Sequence, residues 1–186
     1  MYANLLGDFI KGKDLSSYST IIQKGVHLHR TIDNYIDTHP LVLELLQTLY
    51  KDLPKVSGIA IDLYFDYLLA KNWNNYSNIP LTRFVHQFEN ASINRNSFNN
   101  SHFWLVIDKM KAGKWLHETN TIYGLTKASE GVSNIISFPN TLTDAPRVFL
   151  EQQNSIEKVF SNFMQEAIPF FKDYFQNLET NVLDAT

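Results

Sequence analysis

The chain has no cysteine among its 186 residues. A disulfide framework, a thiolate metal site and a thiol nucleophile are therefore excluded. No apolar run approaches the ~20 residues of a membrane span, and the N-terminus shows no basic region followed by an apolar stretch. A cytoplasmic protein that does not work in a membrane is the expectation. Positive charge is not in excess either. The net charge of −3 argues against nucleic acid as a partner held by a broad basic surface, while leaving room for a local basic patch. No internal repeat, low-complexity tract or linker divides the chain. A Gly-rich phosphate loop, a G-x-S-x-G elbow and an H-E-x-x-H zinc motif are all missing.

What is present reads as helix nearly throughout, with enough residues for one domain around a substantial core. Helices are expected over 2–12, ended by a glycine, over 17–37, stopped before Pro40, and over 41–50. Others are expected over 54–73, opened by Pro54, over 80–91 and over 102–112, with shorter ones within 115–130. The stretch 94–100 reads as an asparagine-rich loop. The run 135–139 is the only strand-like segment, and Pro139 weakens it. A long helical stretch from Pro146 to about 178, broken or kinked at Pro169, precedes a tail over 179–186 that should fray. The fold class expected is all-α, a single-domain helical bundle over 1–178.

The most informative stretch runs from His27 to Pro40. At roughly 100° per helical residue, His29, Arg30, Asp33 and Asp37 share an arc of about 100°. Leu28, Ile32, Tyr35 and Ile36, with Ile21 upstream, form the apolar stripe beside it. An imidazole, two carboxylates and a guanidinium along the edge of a core-facing surface can bind a divalent metal and hold a phosphate.

A second constellation lies between 56 and 70, where Asp62 and Asp66 are the only charged residues. They sit four apart, hence on one face of a helix that is otherwise apolar nearly all round. A carboxylate there needs a metal, a proton or a cationic partner. A structural salt bridge or cap is the plain alternative for either. Asp8, in the apolar run 5–10, is a third candidate, with an ordinary helix edge as its alternative. Gly7 beside it allows close packing or ligand access. His39 either caps the helix end or reaches the site, whereas His27, His86, His102 and His117 read as structural or exposed. Trp73, Trp104 and Trp115 read as core anchors, as do Phe160, Phe163, Phe170, Phe171 and Phe175. Metal-assisted hydrolysis is the chemistry these residues suit best.

Three segments then resemble a known family. Ala3-Asn4-Leu5-Leu6-Gly7-Asp8-Phe9-Ile10-Lys11-Gly12 resembles the N-x-x-G-D-F-V-K-G opening of acyl carrier protein phosphodiesterases. Gly25 to Asp33, with Asp37, His39 and Pro40, is similar to their G-I-x-L-H-R-x-I-D-x-x-T-D-x-H-P motif. Asp62 to Trp73 is similar to D-x-x-Y-D-H-F-L-A-x-N-W. The resemblance is collinear, strongest over 3–90 and weaker to about 175.

It implies an all-helical, divergent relative of the HD-type metal phosphohydrolases that releases 4′-phosphopantetheine from holo-acyl carrier protein, a step of fatty acid metabolism. By the same resemblance, Asp8, His29, Asp33 and Asp66 are the metal ligands, with manganese expected and magnesium the alternative. Arg30, which would hold the phosphate, Asp37 and Asp62 form the catalytic set. The chain departs from the family pattern at three places. Met1 stands almost on the Gly-Asp-Phe motif, so the histidine of the family's leading segment is expected to be missing. Tyr67 replaces a histidine after Asp66. Gly131-Val132-Ser133-Asn134-Ile135 replaces G-M-S-R-R. A relative that only binds a partner, or a hydrolase of another phosphoester, are the alternative readings. Lys11, Lys13, Lys24 and Lys71 are candidates for a basic rim facing the carrier protein, with an ordinary solvated surface as the alternative.

Overall fold

The computed structural model describes residues 2–91, 95 and 98–183, with side chains to 176. Its described elements are helices and turns without a strand, so the all-α class holds. Helix α1 (Tyr2–Leu5) passes into a 3₁₀ turn over Leu6–Asp8. It is followed by α2 (Thr20–Thr38), α3 (Pro40–Leu49), α4 (Ser57–Lys71) and α5 (Leu81–Asn90). Then come α6 (Ser101–Ala112), α7 (Ile122–Ser133), α8 (Ala145–Glu151) and α9 (Gln153–Leu183).

Local chemistry sets several of these boundaries. Pro40 occupies the first turn of α3, where its missing N–H costs nothing. The Asn100 side chain caps α6 by accepting from the Phe103 N–H, and Thr121 caps α7 by accepting from Gly124. Lys55 takes a left-handed φ of 66°, so α4 starts after it at Ser57 rather than at Pro54. The opening segment is helical only to Leu5, because the chain tightens into the 3₁₀ turn that carries Asp8. No strand forms over 135–139, where Ile135 stands 81 % exposed. The last helical stretch breaks at Gln152, not at Pro169, which α9 carries in its interior. The backbone of α9 continues past 178 to Leu183. Part of the 94–100 stretch and the end of the tail, 184–186, lie outside the described residues.

Two clusters of buried side chains make the core. One gathers α3, α4, α7, α8 and the first half of α9 around Leu49, Tyr64, Leu68, Phe149 and Phe160. The other gathers the N-terminal segment, α5 and α6 around Leu6, Phe88, Phe103 and Ile107. Helix α2 belongs to both. Ile22 and Val26 sit in the second cluster, whereas Tyr35 and Ile36 pack on the first. Its middle, with His29 and Asp33, lies where it passes between them.

That placement corrects the apolar stripe read from the sequence: Ile21 is 76 % exposed and Ile22 takes the buried position. Trp115, Phe170 and Phe175 are also exposed rather than core anchors, whereas Phe160 and Phe163 are buried. Phe170 lies flat on Tyr35 from the solvent side, so helical spacing alone overstated its burial.

Candidate active site

The site begins with two glycines. α1 lies against α2 so closely that a Cβ at Gly25 would overlap the backbone of Ala3. A Cβ at Gly7 would overlap the ring of His29. Any larger residue at either position would push the N-terminal segment off α2. With both glycines in place, the 3₁₀ turn carries Asp8 across to His29.

There the His29 Nε2 lies 3.1 Å from Asp8 Oδ1 and 3.2 Å from Asp33 Oδ2. The imidazole is mostly covered, with 15 % of its side chain exposed, while the two carboxylates face solvent. Asp33 and His29 are one helical turn apart, so α2 alone supplies that pair. Asp8 reaches it only through the tertiary contact of the N-terminal turn.

Next to this trio lie the carboxylates of α4. Crowding by protein, then the charges of Asp66, Asp37 and Asp33, push Asp62 up to about 7. Crowding pushes Asp66 up to about 6. The Asp33 carboxyl is likewise raised, first by crowding and then by Asp8 and Asp37, against an opposing pull from His29. Asp62 and Asp66 are both reachable by solvent, yet they are dense in protein neighbours. Water reaches both carboxylates without solvating them fully. No lysine or arginine among the described residues forms an ion pair with Asp33, Asp37, Asp62 or Asp66; the partner of Asp33 is His29. The result is a tray of carboxylates spanning α2 and α4, with one imidazole at its edge.

The residues singled out from the sequence therefore fall into three groups. Asp8, His29 and Asp33 touch. Asp37, Asp62 and Asp66 join them through their mutual electrostatic influence. Arg30 is engaged by the backbone after Asp8, where its Nη2 donates to the carbonyls of Ile10 at 3.0 Å and Gly12 at 2.8 Å. His39 is buried away from the tray, its ring against Tyr35 and Phe163 and its Nε2 3.5 Å from Glu166 Oε2. It holds the α2–α3 corner on α9. Tyr67 is buried with its ring edge-on to Phe149, so its change from histidine alters packing in the core. Asn134 and Ile135 are exposed at the end of α7. His117 pairs with Glu89 at 2.9 Å, and His27, His86 and His102 are exposed. The sequence signal that best marks this geometry is the pair Gly7 and Gly25, small residues at the spacing where two helices must touch. The role of Gly25 had no counterpart in the charge pattern.

An acyl carrier protein phosphodiesterase family model matches residues 1–167. This chain belongs to that family. A relative from Photorhabdus laumondii, named acyl carrier protein phosphodiesterase, is 31 % identical over 87 residues, which are 46 % of this chain and 44 % of the relative. One of the same name from Yersinia pestis is 26 % identical over 135 residues, 72 % of this chain and 70 % of the relative. One from Escherichia coli is 34 % identical over 83 residues, 44 % of this chain and 43 % of the relative. The chain thus spans less than half the length of the Photorhabdus relative. No solved structure matches it significantly. Among the described residues, no helix of this family member is long and apolar enough to cross a membrane.

The close seat of Gly7 gives the first expected result. Gly7→Ala displaces the His29 ring, at a stability cost of about 1–3 kcal/mol for overpacking. Loss of activity should exceed what that cost explains, because the Asp8–His29 contact parts. Thermal denaturation beside the activity assay described below measures both. Unchanged activity with a lowered melting temperature would mean that the contact is dispensable.

Proposed function

We propose that this chain hydrolyses the phosphodiester between the carrier-protein serine and 4′-phosphopantetheine, acting on holo-acyl carrier protein with a divalent cation. The observation that carries this reading is the His29 Nε2 set between Asp8 and Asp33, beside carboxylates that pair with no lysine or arginine among the described residues. The family membership and the names of the relatives support the substrate.

The donor set fits a divalent ion in kind. One imidazole nitrogen and several carboxylate oxygens suit manganese, and magnesium through its oxygens. As it stands, the set is a hydrogen-bonded row, and no three such groups among the described residues form a ready cage. Asp8, His29, Asp33 and Asp66 are the residues that would hold the ion. When bound, it supplies Lewis-acid stabilisation of phosphoryl charge and a water of lowered pKa.

The chain's own groups complete the chemistry. In the metal-free protein Asp62 is pushed up to about 7, and a phosphodiester anion over the tray opposes its ionisation where a bound cation favours it. Asp62 can pass a proton from its carboxyl to the departing seryl oxygen, so that the alkoxide does not accumulate. Asp37 sustains the raised affinity of Asp62 for that proton through its charge. The carboxylates of the tray are exposed, so a pantetheine arm displayed on the surface of another protein can reach them.

The test is mass spectrometry of holo-acyl carrier protein incubated with the chain, with and without manganese. Conversion to apo-carrier protein that needs the metal is the result expected. A folded chain that converts none, under conditions where a relative does, would leave binding without turnover as the reading.

A further inference from the structure

The family pattern suggests a phosphate-holding role for Arg30, but its contacts serve another end. We infer that Arg30 is a positioning residue that fastens the loop after Asp8 and so holds the Asp8 carboxylate on His29. The catalytic consequence rests on the function proposed above; the clamp itself does not.

Asp8 is 68 % exposed at its side chain, and its described polar partner is His29. Packing around the carboxylate therefore does not fix it, and its pose is inherited from the backbone on either side. On the N-terminal side, Gly7 is seated against the His29 ring. On the C-terminal side, the chain leaves the 3₁₀ turn and runs without regular structure until α2. Apolar burial pins it at Ile10 and Leu15. Between them Arg30 provides the polar tie, with one terminal nitrogen donating to both Ile10 O and Gly12 O.

Neighbouring residues of α2, His29 and Arg30, thus grip the same segment on either side of Asp8. The geometry suits a guanidinium. Its Nη2 carries two N–H bonds in a fixed plane, one for each carbonyl, whereas an ammonium on a flexible stem holds no such fork. Gly12 contributes a φ of 88°, a left-handed conformation that a side chain resists. Charge-assisted bonds of this kind are roughly twice as strong as neutral ones. Arg30 forms no ion pair with a carboxylate of the tray among the described residues, as a group meant to reach phosphate over that tray would be tempted to do.

The test uses the full chain and two readouts. Trypsin cleaves after Lys11 and Lys13, which flank Gly12 and are exposed. Arg30→Ala should be cut there about tenfold faster than wild type, as expected when a local tie is lost and the segment opens more often. Arg30→Lys should fall between. Manganese affinity, read by titration calorimetry, should drop in Arg30→Ala, and the drop should vanish when Asp8→Asn is already present, because the clamp acts through Asp8. Should Arg30→Ala not fold, Arg30→Gln, which keeps one amide donor pair, takes its place. Cleavage at the wild-type rate in a variant whose circular dichroism is intact would overturn the clamp. An affinity loss of the same size with and without Asp8 would overturn the positioning role. Wild-type protein that binds no manganese would sink the function proposed above, while the protease rates would still decide the clamp.

Discussion

His29→Ala is expected to reduce release of 4′-phosphopantetheine more than about a hundredfold while leaving the protein folded. Loss of residues that merely orient metal ligands costs roughly ten- to a hundredfold, so loss of a ligand should exceed that range. The substitution removes the imidazole nitrogen of the trio, and with it the described partner of both Asp8 and Asp33. Those carboxylates then face each other and Asp37 with no group between them, and repulsion should widen the site. Stability should suffer less. The ring lies on α2 between the two core clusters, and 15 % of its side chain remains exposed. Removing it also relieves the carboxylates of a fixed geometry. Mass spectrometry of the carrier protein, a manganese titration and a melting curve on the same preparation separate the effects. Activity within tenfold of wild type would remove His29 from the centre of the mechanism.

Much of this site was legible in the sequence, for reasons that differ from residue to residue. His29 and Asp33 are one turn apart on a helix whose ends are well marked, so their contact follows from helical geometry alone. Asp62 and Asp66 stand out because nothing else on α4 is charged until its last residue, Lys71. Asp8 came from the family resemblance more than from its local pattern, since its approach to His29 depends on Gly7 and Gly25 letting two helices touch. The direction of Arg30 was not legible. A position on the helix arc places a Cβ, but a long side chain chooses between the tray and the loop by the acceptors it finds, and the carbonyls of Ile10 and Gly12 are backbone. The fold shows a similar division. Helix existence followed from apolar spacing and from proline positions. The broken end of α8 at Gln152, the exposure of Ile21 and Phe170, and the 3₁₀ turn at Asp8 are outcomes of packing between segments far apart in sequence.

Asp62→Asn is expected to raise the melting temperature of the metal-free protein at pH 8 and to flatten its dependence on pH. The folded protein pushes Asp62 from 3.8 up to about 7 and Asp66 up to about 6. A carboxyl whose folded pKa lies above its unfolded value binds its proton more tightly in the native state. Its contribution to stability is therefore full below the unfolded pKa and is lost as pH rises through the folded one. Over the interval from about 4 to about 7 each unit of alkalinity should weaken the metal-free fold through Asp62, and over a slightly narrower interval through Asp66. The amide that the substitution introduces stands in for the protonated acid, so the variant keeps at pH 8 what wild type has only in acid. A divalent cation should reverse the wild-type deficit, because it neutralises the charge that the tray cannot solvate. Manganese at pH 8 should thus raise the melting temperature of wild type more than that of Asp62→Asn. Asp66→Asn should show the same slope change with a lower midpoint. Scans of wild type and both variants between pH 5 and 8, with and without manganese, decide the matter. A variant no more stable than wild type at pH 8 would mean that Asp62 is paired in solution and that the tray is not waiting for a cation.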